Sequence, residues 1–165
     1  MNKYYIAYGS NLNLAKMNCR CPNATVIGKA KLRKKQLVFK GNQTGYLTLE
    51  NVNTLKTVPI CIFKIDEVDE INLDAYEGFP NFYHKEYVKV RIGLKTVNAL
   101  VYIMNDEYDY TMSSENYVLA CTKGYSDFGF DINILKECLY RTERNIVNKS
   151  IITNDSNSRI KSLKK

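Results

Sequence analysis

The chain has 165 residues, 45% of them hydrophobic and 25% charged, a length and balance that suit one folded domain and exclude both a disordered chain and a second sizeable core. No apolar run approaches the ~20 residues of a membrane helix, and Met1 to Ser10 lacks the long apolar core of a signal peptide, so the expected compartment is the cytoplasm. The formal charge of +7 permits nucleic acid, acidic membranes or small anions as partners without choosing among them.

Residues Lys3 to Tyr8, rich in aromatic and β-branched types, predict a first strand. Gly9-Ser10-Asn11 punctuates it, and Leu12, Leu14, Ala15 and Met17 suggest a short helix that Ser10 or Asn11 caps. Strand-like composition follows over Ala24–Ile27, Leu32–Phe39, Tyr46–Leu49 and Val58–Ile65, with Asn42 and Gly45 marking a turn. Asp66 is placed to cap a helix with Val68, Ile71, Leu73 and Ala75 on its apolar side, which Gly78 stops just after Glu77. Tyr87–Ile92 alternates as a strand with one wet face does, and Ala99–Met104 is a further strand. A helix from Ser114 to Tyr125 and another from Asp131 to about Val147 close the domain; Ile132, Leu135, Leu139 and Ile146 carry the helical spacing of the last. Strands dominate early and helices late, which makes the class α+β rather than a doubly wound sheet.

This reading places one domain at 1–148 and a tail at 149–165 that frays or is disordered: Lys149, Arg159, Lys161, Lys164 and Lys165 face only Asp155 there. The basic run Lys29 to Lys35 reads as the wet face of a strand rather than a nucleic-acid stripe. The odd number of cysteines, five, argues against a disulfide framework. Cys19 and Cys21 are the one close pair, and with His84 as the lone histidine no credible metal-ligand set emerges.

Two segments could carry chemistry. A strand that breaks at Gly9 and enters a capped helix leaves backbone N–H groups pointing one way, a cradle for a carboxylate or carbonyl oxygen; the same residues also make a plain strand–turn–helix corner. Glu77 ends an apolar helical segment beside Tyr76, Gly78 and Phe79. A carboxyl withdrawn from water among aromatics gains a raised pKa and can take and return a proton near neutrality, although a solvated acid at a helix end would look alike. Asp74 lies three residues earlier on a neighbouring part of that face.

Taken in order, three elements are more specific: Tyr8-Gly9-Ser10-Asn11-Leu12; Leu73-Asp74-Ala75-Tyr76-Glu77-Gly78, with Tyr83 and then Val88 and Val90; and Ser114-Glu115-Asn116-Tyr117, with Gly124 and Gly129-Phe130-Asp131. Together they resemble the γ-glutamylcyclotransferase family of the AIG2-like superfamily. The resemblance implies a small mixed barrel of mainly antiparallel strands with helices packed outside. It also implies a catalytic glutamate at Glu77, a substrate loop at Tyr5, Ile6, Ala7, Tyr8, Gly9, Ser10 and Asn11, and substrate-contacting tyrosines at Tyr83 and Tyr117. The activity implied is release of 5-oxoproline from a small γ-glutamyl substrate, with no cofactor and no metal, by a monomer or homodimer without nucleic-acid or membrane partners. A γ-glutamylamine or γ-glutamylated biosynthetic intermediate is the alternative substrate. A binding protein without catalysis, for a small molecule or nucleic acid, is the alternative of another class.

The implied reaction suits a chain without a histidine triad. In a γ-glutamyl compound the α-amine is already tethered a five-membered ring away from the γ-carbonyl, so holding the folded substrate supplies the proximity, and no activated Ser or Cys is needed.

Overall fold

The computed structural model describes residues 3–162, with side chains as far as Thr153; residues 1, 2 and 163–165, which the reading above assigned to the domain's start and the tail, lie outside the described residues. At its centre is β1 (Lys3–Ala7). Its run Tyr5-Ile6-Ala7 is apolar without alternation because both faces are covered: each of the three is buried. β1 pairs antiparallel with β5 (Thr57–Ile65), Tyr5 opposite Phe63, and parallel with β7 (Lys95–Met104), Tyr5 opposite Leu100. β2 (Thr25–Arg33) and β6 (Tyr83–Ile92) form the edges, giving the order β2-β5-β1-β7-β6.

The expected Leu32–Phe39 strand is two strands. Lys34, at φ 54°, turns the chain out of β2, and β3 (Lys35–Gly41) pairs instead with β4 (Tyr46–Asn51) and the short β8 (Asp109–Tyr110) in a second sheet. The turn from β3 to β4 needs Gly45, where a Cβ would lie 1.9 Å from the Thr111 carbonyl oxygen. The α+β class and the dominance of antiparallel pairing stand, but the implied barrel is corrected to two open sheets. The larger one curls until a Cβ on Gly28 of β2 would meet Ile92 of β6 at 3.1 Å, yet no ladder joins those edges among the described residues. A register shift between Val26 and Gly28 kinks β2 at that point.

Between β1 and β2 the chain makes a 3₁₀ turn at Ser10–Leu12 and helix α1 (Leu14–Arg20). Asn13 caps α1, accepting from Lys16 N, in place of the expected Ser10 or Asn11. Helix α2 (Glu67–Glu77) has the expected Asp66 cap, completed by Asp69 into a reciprocal box, and stops at Gly78 in the left-handed region. Its apolar side differs from the expectation. Val68 and Ile71 are 57% and 66% exposed, while Asp69, Glu70 and Leu73 are buried. The acids tolerate burial because each is partnered: Asp69 accepts from Asn23 N, and Glu70 pairs with Lys3 and Lys85.

Helix α3 (Glu115–Asp127) begins at Ser114, whose side chain accepts from Tyr117 N, and packs on the 3₁₀ turn. Helix α4 (Asn133–Ser162) buries Leu135, Cys138 and Thr142 against the second sheet. It continues well past the expected end near Val147, through the segment expected to fray. No glycine or proline interrupts 133–162, so nothing in the backbone forces a stop. No described helix is long and apolar enough to cross a membrane.

Candidate active site

A cavity of about 410 Å³ opens where the end of β1, the 3₁₀ turn, the C-terminus of α2, the start of β4 and α3 meet. Glu77 reaches it because α2 ends there: Gly78 turns the chain at φ 64°, leaving Glu77 on the last helical position and facing the cavity. Tyr5, Tyr8, Tyr46, Tyr76, Tyr83, Tyr102 and Tyr117 all line its wall. Loss of water at this wall pushes the Glu77 carboxyl up to about 7, against the pull of the Arg20 guanidinium and the hydrogen bond from Asn11. The C-terminal end of α2 disfavours negative charge in the same direction as burial.

One amide organises the floor. Asn11 Nδ2 donates to Tyr5 Oη at 2.7 Å and to Glu77 Oε1 at 3.0 Å, while Arg20 donates to Asn11 Oδ1. Arg20 also lies 3.5 Å from the centroid of the Tyr76 ring, and Tyr76 Oη shares a 3.1 Å hydrogen bond with Ser10 Oγ. Along the wall, Tyr8 Oη donates to Tyr102 O at 2.7 Å and Tyr83 Oη to Leu47 O at 2.8 Å; Leu47 N donates to Tyr117 Oη at 3.3 Å. Burial drives the phenols of Tyr5, Tyr8, Tyr83 and Tyr117 well above their ordinary range, so they stay neutral donors and acceptors. Among the described residues the backbone N–H groups of Gly9 and Ser10 have no protein acceptor, and both residues border the cavity. The site therefore holds a carboxyl raised to about 7 beside free backbone donors, inside an aromatic enclosure.

The profile of the family described as "Gamma-glutamyl cyclotransferase, AIG2-like" matches residues 5–119, more than half of the chain. The chain belongs to that AIG2-like γ-glutamyl cyclotransferase family. Solved structures agree on the fold. One titled "Gamma-glutamyl cyclotransferase" superposes with a TM-score of 0.71 at 22% identity, covering 84% of this chain and 86% of its own. An uncharacterised human protein gives 0.70 at 23% identity, covering 83% and 86%. A yeast γ-glutamyl cyclotransferase described as specific to glutathione gives 0.51 at 11% identity, covering 86% and 99%. No curated protein matches.

Of the residues that the family resemblance singled out, Tyr5, Tyr8, Gly9, Ser10, Asn11, Glu77, Tyr83 and Tyr117 all border the cavity. Ile6 and Ala7 do not; both are fully buried in the β1 core, where they hold the strand. Asp74 lies behind the wall, accepting from Tyr102 Oη at 2.5 Å and pairing with Lys85 at 2.7 Å. Sequence reasoning missed Arg20, Tyr46, Tyr76, Phe82 and Tyr102 as parts of the site. Arg20 reads as a basic residue ending a short helix, and only the fold brings it to Asn11. Among the described residues no cluster of His, Cys, Asp and Glu has the makings of a metal site.

Proposed function

We propose that the protein is a γ-glutamylcyclotransferase: the substrate's α-amine attacks its own γ-carbonyl carbon and releases 5-oxoproline and a free amine or amino acid. The observation that carries this reading is Glu77, a carboxyl raised to about 7 and hydrogen-bonded at the floor of a cavity whose rim offers unpaired backbone N–H groups. Near neutrality its carboxylate form accepts a proton from the α-ammonium, freeing the nitrogen lone pair. The new C–N bond closes the ring as negative charge gathers on the carbonyl oxygen. The N–H groups of Gly9 and Ser10 are suited to hold that oxygen or the substrate carboxylate. As the scissile C–N bond breaks, protonated Glu77 gives its proton to the departing amine; the second proton of the attacking nitrogen passes to that amine as well, which leaves as an ammonium. The lactam thus keeps one N–H, the enzyme ends as it began and no water is consumed. Tyr117, its hydroxyl fixed by Leu47 N, is suited to anchor the glutamyl end.

A γ-glutamylamine as substrate is favoured by one feature of the rim: Tyr46 packs edge-on to both Tyr117 and Phe82, with centroids 5.0 and 5.8 Å apart, and among the described residues no lysine or arginine borders the cavity. Such a rim suits an uncharged leaving group. Incubation of the purified protein with γ-glutamyl dipeptides, γ-glutamylamines and glutathione, with 5-oxoproline assayed by mass, tests both readings. Release from any of them supports cyclotransfer, and the preferred donor names the leaving group. Binding of these compounds without release from any would point instead to a binding protein on the same scaffold.

A further inference from the structure

Arg20 lies outside the cavity wall yet donates to Asn11, the side chain that hydrogen-bonds Glu77 among the described residues. A guanidinium can donate and cannot accept. Its bond to Asn11 therefore requires the amide oxygen on the Arg20 side, which turns Nδ2 toward Glu77 Oε1 and Tyr5 Oη and uses both of its hydrogens. With the amide reversed, the NH₂ group would face the guanidinium, donor against donor, and Oδ1 would face the carboxylate, acceptor against acceptor. Arg20 is itself held on three sides. It stacks on Tyr76, its carbonyl accepts from Asn72 Nδ2 at 2.9 Å, and it sits in the last turn of α1, where a cation complements the helix end.

We propose that Arg20 is a positioning residue for Glu77: by fixing the orientation of the Asn11 amide it keeps a hydrogen-bond donor on the carboxylate and so holds that group in the form and direction that proton transfer needs. This rests on the cyclotransferase reading for its catalytic meaning but not for its geometry. Toward Glu77 face Tyr5 and Tyr8 from the β1 end, Tyr76 from α2, Tyr83 from β6, Tyr102 from β7 and Tyr117 from α3, phenols held neutral by burial, and the Cys21 thiol just past α1, which burial pushes up to about 12. Arg20 is the charged group on Glu77 among the described residues. Its removal takes away an attractive charge and frees the amide to invert. An inverted Oδ1 accepts from the protonated carboxyl, so both effects favour the acid form.

The test is a titration of Glu77 followed by carbon NMR of the side-chain carboxyl, in the free protein. In Arg20→Met, which keeps the apolar stem over Tyr76, the midpoint should rise by about one pH unit or more. Arg20→Lys, which keeps the charge and donors, should return most of that rise. The acidic limb of 5-oxoproline release should move with the NMR midpoint. An unchanged midpoint in Arg20→Met, or an equal rise in Met and Lys variants, overturns the proposal. Should Arg20→Met not fold, Arg20→Gln, neutral but still a donor, takes its place: a rise supports and its absence overturns. Because the titration is read without substrate, a midpoint that moves as stated while no γ-glutamyl compound is cyclised sinks the activity and leaves the role of Arg20 standing.

Discussion

A Cβ placed on Gly124 would lie 2.6 Å from the carbonyl carbon of Leu12, so helix α3 rests on bare backbone at the very turn that presents Asn11. Nothing larger than hydrogen fits between them, since Asn13 N would stand at 2.5 Å from the same atom. Gly124→Ala should therefore push α3 and the turn apart. Overpacking of this kind costs about 1–3 kcal/mol, and the displaced turn should raise KM as well. Urea unfolding and steady-state kinetics measure the pair of effects; a variant with unaltered midpoint and KM would show that the contact is soft.

Glu77→Gln keeps size and shape but can neither take the ammonium proton nor return it. General acid–base catalysis contributes ~10²–10⁴ in rate, and the proposed mechanism assigns both transfers to this one group. Turnover should fall by at least that range while the variant stays folded and still binds substrate. A variant that keeps more than about a tenth of native turnover, against that range, would move the proton role to another residue, and Asp74, the other carboxyl near the cavity, would be replaced next.

The same substitution should stabilise the fold, with a definite pH dependence. The Glu77 carboxyl titrates at about 7 in the fold against 4.5 ordinarily. Below 4.5 both states hold the proton and the group contributes nothing. Between those values the unfolded chain ionises and the fold does not, so stability falls as pH rises and levels off above 7. The loss amounts to up to about 3 kcal/mol. Glu77→Gln should match the native protein near pH 4 and exceed it above pH 7, as stability traded for a reactive group requires. Denaturant midpoints across that range decide it; parallel curves would mean that Glu77 is not withheld from water.

Tyr117→Phe removes the acceptor of Leu47 N and the hydroxyl suited to the glutamyl end. One hydrogen bond to a charged group is worth about 1.5–3 kcal/mol, so KM should rise roughly 10- to 150-fold with kcat changed only modestly. Unaltered values of both would take Tyr117 out of the site.

Removal of residues 149–165 should leave turnover and stability close to native. Among the described side chains of α4 the last buried one is Thr142, and the Lys149–Asp109 ion pair joins two exposed groups, which contribute little. A truncated chain that folds yet loses most of its turnover would give the end of α4 a part in the site.

Much of the site was legible because its signals are local. Asp66 and Gly78 bracket α2 by their capping chemistry, which leaves Glu77 at the helix end, and Gly9 breaks β1 where the free N–H groups lie. What the residues alone left open, the family resemblance narrowed to a definite expectation. The partnerships were not legible. Val68 and Ile71 look like a buried stripe and lie outside, because Lys3 and Lys85, far away in sequence, neutralise Glu70 and draw it inward. Lys34 carries no turn signature, so the passage of the chain from one sheet to the other was hidden inside an apparently continuous strand. Ile6 and Ala7 follow Tyr5 in β1 and lead into Tyr8 but serve only the core. Arg20 became meaningful once Asn11 stood beside it.

The cavity lies on the seam between the two sheets, and its two sides have different structural owners. Glu77 hangs from α2, Asn11 from the β1–α1 connection and Arg20 from α1, whereas Tyr46 begins β4 and Phe82 precedes β6. Mutational drift in Tyr46 and Phe82 thus reshapes what the mouth admits while the Glu77 end stays intact, so under the proposed mechanism descendants of such a scaffold diverge in diet without reinventing their chemistry.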